Sequence, residues 1–212
     1  MEDRVSGRGQ QTRERLRAAA HRLFLRQGYL ATSIDAILAE AGIASKETLY
    51  RYYASKEALF ADVLSQLTME QPSFSERLMA LPAPRDLQSL HQSLSMLARE
   101  ILTMMNQPGY LPLVRMVIAE SPRFPQLGAL FFATVTQRGL SLIVGLLHAA
   151  REQRLIADVD LETVAHTLLG GLLTFAIMNL VLGADEAQPI PLVRADAVVD
   201  VIMRALTPVA GE

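Results

Sequence analysis

Ser45, Lys46, Thr48, Tyr50, Arg51, Tyr52 and Lys56 crowd hydroxyl, ammonium, guanidinium and phenol groups into one short stretch of a 212-residue chain. Such groups donate hydrogen bonds to phosphate oxygens, and arginine or lysine also reads base edges. Lys46 and Lys56 are the only lysines in the sequence, and both fall here. Other chemistries find no support. There is no cysteine, so disulfides and thiolate chemistry are excluded. The four histidines, His21, His91, His148 and His166, show no i, i+4 pair of the kind that forms a helical zinc site. No G-x-S-x-G elbow or P-loop occurs. No catalytic residue, metal site or cofactor is therefore expected, and the pattern points to recognition of a polyanion.

Three short helices must position these side chains. They lie in the run ATSIDAILAEAGIASKETLYRYYASKEALF, Ala31 to Phe60. Thr32 is placed to cap the first, with Asp35 three residues on completing a capping box. Ile34, Ile37, Leu38 and Ala41 recur at helical spacing on one buried face. Gly42 can take the left-handed conformation that ends this helix. Ser45 is placed to cap the second helix, in which Leu49, with Tyr53 just beyond, points inward. Ser55 can cap the third, with Glu57 in its first turn. Two helices joined by a tight glycine-containing turn form a helix-turn-helix, whose second helix enters the DNA major groove.

The residues Phe24, Gly28, Tyr29, Thr32-Ser33-Ile34, Ile37, Ala41-Gly42-Ile43, Ser45-Lys46, Thr48-Leu49-Tyr50, Tyr52-Tyr53 and Ser55-Lys56-Glu57-Ala58-Leu59-Phe60 occur in an order that resembles the DNA-binding domain of the tetracycline-repressor (TetR) family. Gly42 to Tyr50 is one residue longer than the commonest family spacing, with Ala44 the extra residue. This leaves open which of Lys46, Glu47 and Thr48 faces a base and which a phosphate. The resemblance implies DNA contacts from Thr32, Ser33, Ser45, Lys46, Thr48, Tyr50, Arg51, Tyr52 and Lys56. Further on, Ser121-Pro122-Arg123-Phe124-Pro125 with Leu127 and Phe131-Phe132 is similar to the C-terminal body of the AefR-like branch.

Composition agrees with a reading head on a separate body. Half the residues are hydrophobic, enough for a sizeable core. The net charge of −2 divides into +3 over residues 1–60 and −5 over 61–212. The opening MEDRVSGRGQQ has no apolar run and does not read as a secretory signal. It reads as a loose basic arm, Met1 to Gln11, before a helix from Thr12 to Gln27. On that helix the arginines read as a solvated face, those near its start being candidates for phosphate.

No segment alternates at period two, so the fold class is all-α, with about nine helices. The expected divisions are a helix-turn-helix domain over 1–62 and an effector-binding and dimerisation domain over 63–212. Further helices are predicted over Lys56 to Glu70, Asp86 to Asn106, Leu111 to Glu120, Pro125 to Gln153, Leu161 to Leu182 and Leu192 to Leu206. Breaks fall at Gln71-Pro72, at Leu81-Pro82-Ala83-Pro84 and at Pro208. Thr163 to Ala184 carries no charge with His166 neutral. That length suits a membrane span, and a helical membrane-associated protein using 163–184 is the alternative reading. The other explanation is a helix buried on all sides, one face in its own core and one against a second subunit.

Met96, Met104, Met105 and Met116 with Phe131 and Phe132 fit either plain core filling or an adaptable apolar cavity. The family resemblance favours the cavity, with Met104, Met105, Met116 and Phe132 as effector-binding candidates. It also implies the partners: double-stranded operator DNA, a small apolar effector and a second copy of the chain, with no membrane and a cytoplasmic location. The implied activity is transcription regulation by a repressor. The homodimer grips a palindromic operator, and the effector releases it by favouring a head spacing that no longer fits.

Overall fold

A computed structural model of the chain describes residues 2–67, 83–182 and 188–207. All regular structure among these residues is helical, in nine helices. They are α1 (Glu2–Gln27), α2 (Ile34–Ala41), α3 (Lys46–Tyr52), α4 (Lys56–Leu67), α5 (Leu87–Met105), α6 (Tyr110–Glu120), α7 (Pro125–Glu152), α8 (Leu161–Leu182) and α9 (Val193–Leu206). Within α7 the hydrogen bonding widens to a π-helical turn at Phe132–Thr136, between Pro125–Phe131 and Gln137–Glu152. The predicted breaks at Gln71-Pro72, Leu81-Pro82 and Pro208, and the stretch beyond Leu67, lie outside the described residues.

Most boundaries follow local chemistry. Asp86 caps α5 by accepting from the Ser89 amide at 2.7 Å, and the Ser89 hydroxyl returns to the Asp86 amide at 3.0 Å. These bonds hold the Asp86 carboxyl below its ordinary range. Pro125 sits in the first turn of α7, where a missing N–H costs nothing. Asp160 accepts from the Glu162 amide at 3.2 Å to start α8. Two expectations are corrected. α1 begins at Glu2, so the stretch read as a loose arm is continuous with the first helix. The cap of α2 is Ser33, whose hydroxyl accepts from the Ala36 amide at 3.1 Å, and not Thr32.

The chain forms two compact units. The first comprises Met1–Thr68 and Pro112–Thr134, the second Met69–Leu111 and Val135–Glu212. In the first, Leu16, Leu23, Phe24, Ile37, Leu49 and Phe60 form the centre of a core that also takes in Leu113, Met116, Val117 and Leu127. Phe24, Tyr29 and Phe60 meet pairwise at 5.2–5.4 Å between ring centroids, tilted or edge to face, as their quadrupoles prefer. In the second unit α5 buries Leu90, Leu94, Leu97, Ile101 and Met105. Two charged contacts tie it to α9: Arg99 grips Asp196 with two bonds of 2.8 Å, and His91 meets Asp200 at 2.7 Å. Asn106 fastens the segment before α9, donating to the Ile190 carbonyl at 2.9 Å and accepting its amide at 2.8 Å.

α8 and the α7 stretch are both long and apolar enough to cross a membrane. In α8, however, Ala165, Leu168, Leu169, Leu172 and Ala176 are buried against the rest of the second unit.

Candidate nucleic-acid interface

α2 and α3 are joined by Gly42 to Ser45. Gly42 has φ +64°, and its amide and that of Ile43 bond back to the Ala39 and Leu38 carbonyls at 3.1 and 2.9 Å. This is the left-handed helix stop that a glycine makes inexpensive. Arg15 of α1 donates to the carbonyls of Ala41 and Gly42 at 2.6 and 3.1 Å, satisfying groups the helix end leaves open. Ser45 then caps α3 by accepting from the Glu47 amide at 3.2 Å. Leu49 is fully buried and Tyr53 nearly so, which turns the other sides of α3 outward.

Ser33, Lys46, Tyr50 and Arg51 are exposed, and Ser45, Thr48 and Tyr52 half-buried. Tyr50 is 52% exposed, unusual for a large aromatic side chain with no partner ring among the described residues. Arg51 is exposed and has no ion pair among the described residues. Lys46 pairs with Asp35 of α2 at 2.9 Å, and that hydrogen-bonded contact raises its pKa above the ordinary lysine value. The pair is open to solvent, so a phosphate can compete for the ammonium.

Two residues assigned to DNA from sequence are placed otherwise. Thr32 is 1% exposed, and its hydroxyl donates to the Gly28 carbonyl at 2.7 Å. Lys56 donates to the carbonyls of Tyr29 and Thr32, both at 2.8 Å, and lies 4.2 Å from the Tyr29 ring centroid. Burial lowers its pKa from the ordinary lysine value. Both side chains hold the turn between α1 and α2 from within. Tyr52 lies beside α1, where a side chain at Gly9 would come within 3.3 Å of its hydroxyl.

Arg13, Arg15, Arg17, Arg22 and Arg26 of α1 are not a free solvated face either. Arg13 and Arg17 share a face and take one carboxylate, Asp62 of α4, at 2.9 and 3.8 Å. Asp62 also accepts the Tyr53 hydroxyl at 2.5 Å, which fastens the end of α3 to both α1 and α4. Burial pushes the Tyr53 phenol well above its usual range, and Asp62 adds to that shift. Arg22 and Arg26 repeat the arrangement on Glu40 of α2, at 3.0 and 3.8 Å. The sequence carried one signal, that each arginine pair at i, i+4 lies on one side of α1, and none for the carboxylate that joins it. Glu120 bonds to the amides of Tyr29 and Leu30 and had no such signal.

The effector candidates divide between the units. Met104 and Met105 line a small apolar cavity with Ile101, Tyr110, Thr136 and Leu173, of about 10 Å³. Met116 packs in the core of the first unit, and Phe132 is 51% exposed. Neither lines that cavity. No group of three or more metal-ligating side chains occurs among the described residues.

A helix-turn-helix braced by ion pairs from α1 to α2 and α4, carrying exposed Lys46, Tyr50 and Arg51, defines a DNA-binding protein of the transcription-regulator class. Residues 16–63 match the family described as bacterial regulatory proteins, tetR family. Residues 92–206 match the AefR-like transcriptional repressor C-terminal domain. The chain belongs to the TetR family of transcriptional regulators, with an AefR-like C-terminal domain. A TetR-family transcriptional regulator from Mesorhizobium loti is 25% identical, with TM-score 0.72 over 95% of this chain and 99% of its own. The flavonoid-responsive regulator FrrA is 30% identical, with TM-score 0.70 over 94% of this chain and 98% of its own. TylP, a TetR regulator from Streptomyces fradiae, is 26% identical, with TM-score 0.62 over 95% and 89%. No curated protein matches the sequence.

Proposed function

We propose that the protein is a cytoplasmic, homodimeric repressor that binds a palindromic operator and is released by a small apolar effector. The observation that carries the DNA-reading part is the exposed polar side of α3, held by a head in which Arg13, Arg15, Arg17, Arg22, Arg26 and Lys56 already have partners. Lys46, Thr48 and Arg51 are the base-reading or base-flanking contacts, and Ser33, Ser45, Tyr50 and Tyr52 the phosphate contacts. Arg51 is free to pair with guanine in the bidentate manner that gives the strongest base discrimination.

The dimer reading is supported by the outer side of α8. Thr163, His166, Thr167, Thr174, Ile177 and Met178 are exposed there, and beyond Glu162 in the first turn that side carries no carboxylate, lysine or arginine. Most of its polar groups bond within the helix: Nδ1 of His166 to the Glu162 carbonyl, Thr167 to Thr163 and Thr174 to Gly170, each at 2.8 Å. Burying this face against a second copy leaves Nε2 of His166 to find a partner there. Gly171 already meets Val198 of α9 in its own protomer, whereas Gly170 opens onto space a partner helix can fill. Val193 and Val201 of α9 are exposed as well, which supports a four-helix interface about a two-fold axis.

For the effector, the supporting feature is the cavity at Met104 and Met105. It has room for one water at most as it stands. Unbranched methionines are the side chains best able to move aside for a ligand. FrrA is flavonoid-responsive, and Tyr110 and Thr136 could meet the hydroxyls of such an aromatic ligand. Selecting bound duplexes from a random DNA pool and challenging the complex with flavonoids tests the whole reading. Recovery of a roughly palindromic site, released by ligand, supports it; no enriched sequence would overturn it.

A further inference from the structure

We propose that Glu120, about ninety positions in sequence from the turn it bonds, is a positioning residue for DNA reading. The inference rests on the reading that α2 and α3 are the DNA-binding element. The turn between α1 and α2 presents two consecutive amides, Tyr29 and Leu30. Glu120, at the C-terminal end of α6, accepts one with each carboxylate oxygen, at 3.0 and 2.9 Å. Lys56 holds the other side of the same turn through the Tyr29 and Thr32 carbonyls. An acid therefore takes the donors of the turn and a base its acceptors. Ser33, the cap of α2, follows immediately.

Gly28 shows how closely this carboxylate is fitted. Its φ is +84°, and a side chain there would overlap Oε1 of Glu120. Both oxygens face the turn, so Glu120 is not itself a DNA contact. It fixes the direction in which the chain enters α2, and α2 carries α3 through the glycine turn. Removing the carboxylate should weaken binding to all sequences alike. It should leave unchanged the number of phosphates neutralised, which sets the salt dependence. Phe124 stays packed on Tyr29 at 5.7 Å between centroids, so the segment keeps its place without the carboxylate.

The test uses the full-length protein and a selected operator duplex, well below the melting transition. Glu120→Gln keeps one acceptor and turns an NH2 toward the second amide. The expected result is a folded protein with roughly tenfold weaker operator affinity, as for loss of a hydrogen bond to a charged group. Its salt slope should be unchanged, and amide exchange at Tyr29 and Leu30 faster. Glu120→Asp, which retains both oxygens, should bind more tightly than Glu120→Gln. Operator affinity within twofold of wild type in folded Glu120→Gln overturns the proposal, as does a slope reduced by about one unit. Should both variants fail to fold, exchange in the wild-type protein decides. Operator should slow exchange at Tyr29 and Leu30 together with the α2 amides, and no change at those two overturns the inference. Arg51→Ala and Lys46→Ala run alongside: if neither alters DNA binding, the DNA-reading assignment fails, whatever Glu120 does.

Discussion

Arg51 and Lys46 differ in what each must give up to touch DNA. Arg51 has no ion pair among the described residues, whereas Lys46 must leave Asp35. Arg51→Ala should therefore relax the preference at one position of each half-site by roughly 1–3 kcal/mol. Competition between the selected operator and single-base variants measures this, and an equal loss on every duplex would make Arg51 a backbone contact. Lys46→Ala should flatten the dependence of log affinity on log salt by about one unit. Asp35→Asn releases the same ammonium, so binding to unrelated duplexes should strengthen relative to operator. Unchanged non-specific binding in that variant would show that Asp35 does not restrain Lys46.

At the scale of the element, Gly42 and the π-helical turn of α7 carry the most specific consequences. Gly42→Ala forces a Cβ into the left-handed conformation and toward the Arg15 guanidinium. The cost should be about 1–2 kcal/mol, read from urea denaturation, with the slope m unchanged. The π turn sets Val135 and Thr136 in the wall of the cavity that Met104, Met105 and Tyr110 complete. Single π turns inside α-helices often mark functional positions. Filling the space with Met104→Trp should leave operator binding intact and blunt release by ligand, at a stability cost of roughly 1–3 kcal/mol. Wild-type ligand release in that variant would move the effector site elsewhere.

At the scale of the whole molecule, the prediction concerns the outer face of α8. Leu172 is fully buried within its own protomer, so charging it would disrupt the fold rather than the interface. Ile177 and Met178, 41% and 51% exposed, are the discriminating positions. Ile177→Glu with Met178→Glu should sediment as a folded monomer that binds operator far more weakly than the wild type. A two-fold dimer places its heads on half-sites about one helical turn apart, ~34 Å, which a monomer cannot span. A wild-type protein that sediments as a monomer and still binds operator would remove the dimer from the mechanism.

The amino-acid sequence by itself determined the all-helical fold, most helix limits and the family. Each of these rests on signals a few residues long. Ser45 and Ser55 cap helices where their spacing placed them, Gly42 ends α2, and α8 runs from Leu161 to Leu182 as its uncharged run suggested. A cap or a helical period is local physics and survives in any surroundings. Tertiary structure alone decided which cations of the first unit already have a partner. Lys56 reads as a phosphate ligand in sequence and the α1 arginines mainly as a solvated face, yet the fold sets a carbonyl pair within reach of Lys56 and Arg15 and a carboxylate within reach of Arg13, Arg17, Arg22 and Arg26. Those partners lie 14 to 49 positions away, and Glu120 reaches its amides across 90 and 91. Nothing in the spacing of a polar side chain records which distant backbone group will need it. That need arises only when packing removes the group from water, and packing belongs to the folded chain.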